Sequence, residues 1–106
     1  MSNNIGKIIG FPLKIFDHNL VYLPMEYLRY YGISVDKDRV QLTKFPHSLF
    51  YSPISDTEKN THRLKTVSIS VGLTTIPAAW IKENHLKKGD TLYLLGLRDG
   101  FILYKM

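Results

Sequence analysis

The chain has 106 residues, a formal net charge of +5 and an isoelectric point near 9.5. It contains no cysteine, which excludes disulfides, thiolate metal sites and a cysteine nucleophile. No apolar run has the length of a signal peptide or of a membrane helix, so we expect a cytoplasmic protein without membrane contact. The basic charge favours polyanionic partners and is shared by both halves, so folding has to assemble any basic surface.

The first half of the chain predicts four short strands and one helix. A turn is predicted at Asp17-His18-Asn19, with Asn19 in the left-handed conformation that asparagine tolerates. The other predicted elements are strands Leu13–Phe16, Leu20–Leu23, Arg39–Leu42 and Leu49–Tyr51, the helix Pro24–Tyr31 and a turn at Pro46-His47-Ser48.

Residues 55–62 separate the two halves. Residues 55–61 include no aliphatic or aromatic side chain. Such a stretch cannot offset its ordering entropy by burial, so it is predicted to be a connector.

The second half predicts the same order of elements. Thr66–Val71 alternates strictly, which is typical of a half-buried strand, and Gly72 can supply a turn conformation closed to most residues. The Asp99-Gly100 pair predicts a hairpin turn of the primed type. The remaining predicted elements are strand Leu73–Ile76, Pro77 at the first helical position, a helix from Ala78 to about Asn84, a turn at Lys88-Gly89-Asp90, a strand containing Leu92 and Leu94, and strand Phe101–Tyr104.

The two halves are interpreted as diverged copies of one unit. Pro24 and Pro77 are 53 positions apart, and residue classes agree at that offset along the flanking strand and helix. After the helix, the match continues if the first copy has one extra residue. We therefore predict one domain over residues 1–106, made of repeats at 13–54 and 63–106 that are joined by the connector at 55–62.

One repeat is too small to bury its own apolar faces. The second copy supplies the missing partner within the same chain. The predicted fold is therefore mainly β with two short helices, in which two strand–strand–helix–strand–strand repeats form one β-barrel about a pseudo-two-fold axis.

The second repeat has a specific order of features between Leu73 and Leu92. A strand ends at Ile76-Pro77, a short helix follows, and Leu86–Asp90 supplies Leu-x-x-Gly-Asp. This order resembles the AbrB/SpoVT/MazE-like family of swapped-hairpin DNA-binding proteins, and Trp80 is similar to the archaeal branch of its pattern. In the first repeat, Asp36-Lys37-Asp38 stands where the family has Lys-Gly-Asp.

The resemblance implies a fold and a function. Family members are homodimers whose chains interleave their hairpins into one barrel, so this chain is expected to be a single-chain pseudo-dimer with swapped hairpins. The implied function is that of a transcriptional regulator, with double-stranded DNA as the partner. The basic residues that contact DNA are expected on the first hairpins and near the helix starts.

The family's usual basic positions are apolar in this chain. Leu73 and Ile81 stand where the family often has arginine, and Leu20 and Leu28 stand there in the first repeat. Basic residues occur one position further along each helix, and other basic residues lie on or beside the first strand of each repeat. The predicted DNA-contacting residues are Lys14, Arg29, Arg63, Lys65 and Lys82.

Other functions have weaker support in the sequence. The histidines show no metal-ligand spacing, and neither a phosphate-binding loop nor a catalytic arrangement is present, so we expect no enzyme, metal or cofactor. One alternative is an antitoxin-like protein-interaction module, although we expect no toxin-wrapping tail because the last predicted strand ends close to Met106. A second alternative is an architectural protein that binds DNA without sequence preference. A homodimer of these chains also stays open.

Overall fold

The computed structural model describes residues 10–54 and 65–105. The predicted connector at 55–62 lies outside the described residues. No helix in the described ranges is long and apolar enough to cross a membrane. The elements are strands β1 Phe11–Lys14, β2 Leu20–Tyr22, β3 Lys37–Lys44, β4 Ser48–Ser52, β5 Thr66–Ser70, β6 Leu73–Thr75, β7 Thr91–Gly96 and β8 Phe101–Tyr104, and helices α1 Met25–Tyr30 and α2 Ala78–Glu83.

The strands form one antiparallel sheet in the order β1-β7-β8-β4-β3-β5-β6-β2. This sheet curls into a nearly closed barrel, and its two edge strands are consecutive in the chain. The N–H of Phe16 donates to the carbonyl of Leu20 (2.8 Å) across the turn that joins them. The mainly-β class with two short helices is thereby confirmed. Alternate residues of the strands point inward and form one apolar core, with Val21, Val40, Leu49, Ile69, Leu92 and Leu103 among its fully buried members.

Four of the seven strand pairs join the first half of the chain to the second. β1 pairs with β7, β5 with β3, β2 with β6 and β4 with β8. The β2–β6 pair is centred on Val21 opposite Thr74, which are 53 positions apart, and the β4–β8 pair includes Phe50 opposite Ile102, which are 52 apart. These are the offsets of the sequence repeat before and after its extra residue, so repeat-related residues face each other in both pairs.

Two strands differ from their predicted bounds by two residues at each end, and the others by no more than one. β1 spans Phe11–Lys14 rather than Leu13–Phe16; Pro12 is tolerated there because β1 lies at a sheet edge. β3 spans Lys37–Lys44 rather than Arg39–Leu42. Its length comes from two neighbours, since β5 pairs with residues 37–41 and β4 pairs with residues 41–44.

Each helix begins one residue after its proline, although each proline is predicted to be the first helical residue. Pro24 and Pro77 are N-cap residues and not the first helical residues, because their ψ angles of 135° and 129° are extended. Their carbonyls still accept the first helical hydrogen bonds, from Leu28 (3.3 Å) and Ile81 (3.0 Å). The ring therefore fixes the entry into each helix from outside it.

Each helix ends in the same left-handed cap. Gly32 follows α1 with φ of 72°, and His85 follows α2 with φ of 55°. The N–H of the next residue donates to the carbonyl of Leu28 (2.8 Å) or Ile81 (3.0 Å), as in a Schellman motif. Histidine in this conformation is strained, because its Cβ approaches the following carbonyl and glycine has no Cβ.

The first turn of each repeat has positive φ at two successive residues. The angles are 62° and 59° at His18 and Asn19, and 51° and 77° at Val71 and Gly72. The left-handed conformations predicted for Asn19 and Gly72 are confirmed.

The prediction of a primed turn at Asp99-Gly100 is wrong. Neither residue has a positive φ, whereas both primed turn types require one. Gly100 is needed for another reason, because a Cβ there would collide with the carbonyl oxygen of Tyr51 on the neighbouring strand.

The loop before the third strand of each repeat is closed by an aspartate. A carboxylate oxygen of Asp90 accepts from the N–H of Lys87 (3.0 Å), and one of Asp38 accepts from the N–H of Ser34 (3.0 Å). The first repeat therefore keeps the turn although it lacks the Lys-Gly-Asp sequence.

Candidate nucleic-acid interface

Basic side chains lie on the outer faces of two of the four ladders that join the repeats. The first ladder pairs β1 with β7, and the second pairs β5 with β3. In every one of these strands, alternate residues face the core. Positions facing outward are therefore set by the strand period.

Arg39 lies on the second ladder and forms side-chain hydrogen bonds across it. Its Nε and Nη2 donate to the hydroxyl of Thr66 (3.2 and 2.6 Å), and its Nη1 donates to that of Ser68 (2.9 Å). The side chain thus lies across β5 and remains exposed. A guanidinium has five N–H donors, so part of the group is left to bind an anion.

Sequence reasoning missed Arg39 as a site residue. The available signal was the alternation of Lys37 and Arg39 on one face of a strand, but the predicted strand began only at Arg39. The structure places Lys37 opposite Ser70 and Arg39 opposite Ser68, on the outer face of the same ladder.

Lys14 occupies the corresponding place on the first ladder. It is exposed and lies opposite Thr91. The repeat relates Thr91 to Arg39. Lys14 and Ser68 pair with these repeat-related residues, so they correspond to each other, and the first repeat has a further extra residue between Lys14 and Leu20. Each ladder therefore has one cation at the same cross-strand pair, from β1 in the first ladder and from β3 in the second.

The first hairpin consists of β1 and β2, and the second consists of β5 and β6. The turns at the tips of these two hairpins have different surroundings. At the first tip, Lys88 Nζ lies 3.0 Å from a carboxylate oxygen of Asp17, and both side chains are mostly exposed. Solvent screening leaves such a pair little effect on stability. His18, also exposed, completes this tip.

The second tip forms one wall of a concavity beside α1. Its volume is about 520 Å³. Arg29 extends from α1 to this concavity, and its Nη2 lies 4.0 Å from the sulfur of Met25. The other residues that line it are Tyr22, Val35, Asp36, Val71 and Gly72.

The five predicted DNA-contacting residues do not form a single cluster. Lys14 lies on the first ladder and Arg29 beside the second tip, while Lys82 is exposed on α2 at the position that repeats Arg29. Lys65 is exposed just before β5, about 20 Å along the strand from Val71 at the usual rise per residue. Arg63 lies outside the described residues.

A groove separates α1 from the β7–β8 turn. Its volume is about 730 Å³, and Tyr27, Tyr30 and Tyr31 line it together with Leu97 and Arg98. The Tyr31 hydroxyl donates to the carbonyl of Leu97. Burial raises the pKa of Tyr31 above its ordinary value. Tyr30 is 77% exposed.

Metal-binding groups do not converge within the described ranges. No set of three histidine or carboxylate side chains there could hold an ion. His47 lies in the β3–β4 turn, where its Nδ1 is 3.2 Å from the side-chain oxygen of Asn84.

Comparison of the chain with models of known protein families gives no match. Comparison with curated protein sequences gives none either.

Proposed function

We propose that this chain is a DNA-binding transcriptional regulator of the AbrB/SpoVT type, built as a single-chain pseudo-dimer with swapped hairpins. The exchange of strands supports this proposal, since the first strand of each repeat pairs with the third strand of the other. Repeat-related residues face each other in β2–β6 and β4–β8, as they would about a two-fold axis. The proposed activity is DNA binding, without catalysis.

The observation that carries the proposal is the matched pair of cations on the two ladders. Lys14 and Arg39 come from different strands but occupy equivalent outward positions. A side chain that served only solubility would have no reason to return to the same place on the opposite ladder. A duplex with phosphates on two strands offers such a two-fold target.

The helix bases extend these two surfaces. Arg29 and Lys82 are exposed at equivalent positions of α1 and α2. We assign all four bases mainly to phosphate contacts, which fix the register of a protein on DNA without selecting the sequence. Lys65 is assigned a smaller, peripheral contribution, because it lies at the end of β5 away from the tip.

The test is duplex binding over a salt series. The wild-type chain should bind, and log affinity should fall linearly with log salt. Changing both Lys14→Gln and Arg39→Gln should lower the magnitude of that slope by about two, roughly one for each phosphate contact. The matched control is Arg98→Gln, on the β7–β8 turn outside both ladders, which should leave the slope unchanged.

Two results would contradict the proposal. One is the absence of binding to any duplex at low salt, and the other is an affinity that does not respond to salt. Selection from random duplexes separates a regulator, which returns a motif, from an architectural protein, which returns none.

A protein-interaction module is the second candidate, and the tyrosine-lined groove beside α1 favours it. Exposed Tyr30 and Leu97 could contact an apolar side chain of a partner. If a stable partner co-purifies with the wild type and is lost from Tyr30→Ala, while no duplex binds, this candidate replaces the first.

A further inference from the structure

Three large apolar side chains are exposed around the tip of the second hairpin: Val71 of the turn itself, Tyr22 at the end of β2 and Met25 at the start of α1. Val71 is 64% exposed, Tyr22 55% and Met25 45%. All three line the concavity that also contains Arg29. We call Tyr22, Met25 and Val71 the apolar tip.

The backbone holds Val71 in place without using its side chain. Its N–H donates to the carbonyl of Asp36 (2.9 Å), and the N–H of Gly72 donates to that of Val35 (3.0 Å). Val71 also has φ of 51°, an unfavourable conformation for a β-branched residue. Folding alone therefore does not account for valine at this position, and the exposed isopropyl group is available to a partner.

The first hairpin has a different surface, where Phe16, 46% exposed, is the large apolar side chain beside the turn. The residues at the corresponding positions are His18 for Val71, Thr75 for Tyr22 and Ala78 for Met25, and all three are exposed. A basic residue is nevertheless present at the corresponding helix position, where Lys82 repeats Arg29. The two tips thus share a cation and differ in the groups beside it.

We infer that the apolar tip contacts thymine methyl groups in the major groove. The inference rests on the proposed function. Thymine has the one apolar group on the base edges of the major groove, and a two-stranded ribbon fits that groove. Arg29 lies in the same concavity and would bind the adjacent phosphate. The preferred site would then have A·T pairs under the second hairpin.

The test compares two synthetic duplexes of equal length, one of alternating dA and dT and the other of alternating dA and dU. They carry equal charge and differ in the C5 methyl group. The wild type should bind the thymine duplex more tightly, by about fourfold for each methyl group buried. Val71→Gly should lose most of this preference and keep its fold, because glycine accepts the positive φ.

Two further variants separate the tips. His18→Gly, at the matching position of the first tip, should keep the wild-type preference. Met25→Ala should reduce it without changing a turn residue. Because all proteins are compared on the same two duplexes, differences in duplex stiffness cancel.

The outcomes are distinct. If the wild type binds both duplexes equally with a normal salt dependence, the inference fails and the proposed function stands. The inference also fails if Val71→Gly and Met25→Ala both keep the full preference, or if His18→Gly removes it. If neither duplex is bound at low salt, both the proposed function and the inference fail.

Discussion

The two ends of the barrel are closed by the same elements in different ways. At one end, Trp80 of α2 is fully buried and its Nε1 donates to the carbonyl of Phe45 (2.8 Å) in the β3–β4 turn. At the other end, Tyr31, the residue after α1, donates to the carbonyl of Leu97, which repeats Phe45 in the β7–β8 turn. Each helix region thus bonds to the turn of the opposite repeat, and the α1 end has an open groove.

Buried polar contacts, together with Trp80, fill the α2 end of the barrel. Asn84 is buried, and its amide nitrogen donates to the carbonyls of Pro46 and Trp80 (3.0 Å each). The backbone carbonyl of Asn84 accepts from Lys105 Nζ (2.9 Å). The comparison indicates that the two halves have equivalent strand pairing and differ in how each helix fills the end of the barrel.

The largest expected effect is at the tryptophan. Trp80→Ala should lower the free energy of unfolding by about 3–5 kcal/mol, because it removes a fully buried aromatic side chain and leaves a cavity. Urea denaturation measures the loss. Tyr27→Ala, the matching change in α1, should cost less than half as much, since Tyr27 is only partly buried. Equal losses would mean that the two ends are equally packed.

Asn84→Ala tests the polar network of the same end. We expect a loss of about 2 kcal/mol, because the carbonyl of Pro46 and the ring of His47 lose a buried partner. Tyr31→Phe at the matching position should cost about 1 kcal/mol or less, because the exposed turn at Leu97 can bind water instead. A larger loss from Tyr31→Phe would reverse this ranking of the two ends.

Tyr51→Phe should stabilise the protein. Tyr51 is fully buried against Phe101, and its hydroxyl has no hydrogen-bond partner in the described part of the chain. The repeat has Leu103 in the same place, without a polar group. Removing the hydroxyl should therefore raise the free energy of unfolding by about 1 kcal/mol.

The same residue predicts a pH dependence. Burial raises the pKa of Tyr51 above its ordinary value near 10, so the folded state holds the phenol proton more tightly than the unfolded state does. The contribution of this proton to stability is complete below pH 10 and is lost as the pH rises above it. Wild type should lose stability there faster than Tyr51→Phe, and parallel curves would contradict the assignment.

The smallest expected effect is at the helix caps. His85→Gly should raise the free energy of unfolding by about 0.5–1 kcal/mol, because glycine removes the left-handed strain after α2. Gly32→His should lower it by a similar amount at the matching cap of α1. Thermal unfolding of both variants checks the pair, and opposite signs for the two changes are the expected pattern.

Most elements could be predicted because their signals are local. Val67 and Ile69 alternate along β5, and Gly72 has no Cβ to oppose a left-handed turn. The errors arise where distant segments meet. The extent of β3, and with it the outward position of Arg39, depends on pairing with β5 and β4. Gly100 is explained by the approach of Tyr51 and not by its own turn.

The candidate site was predictable only in part for the same reason. Lys14, Arg29 and Lys82 were chosen from their places in the repeat, and all are exposed. The match between Lys14 and Arg39 could not be predicted, because the two bases come from strands that are not equivalent in the repeat. Only cross-strand pairing places both at the same outward position.

The sequence by itself determined the repeat, the types of the elements and the residues of the first turns, since these follow from residue periodicity and backbone preferences over a few neighbouring positions. The tertiary structure decided which strands pair, which bases share a ladder and which barrel end is filled. Those features depend on contacts between residues far apart in the chain, such as Lys14 with Thr91 and Arg39 with Ser68, where a register shift of one residue reverses which side chains face outward.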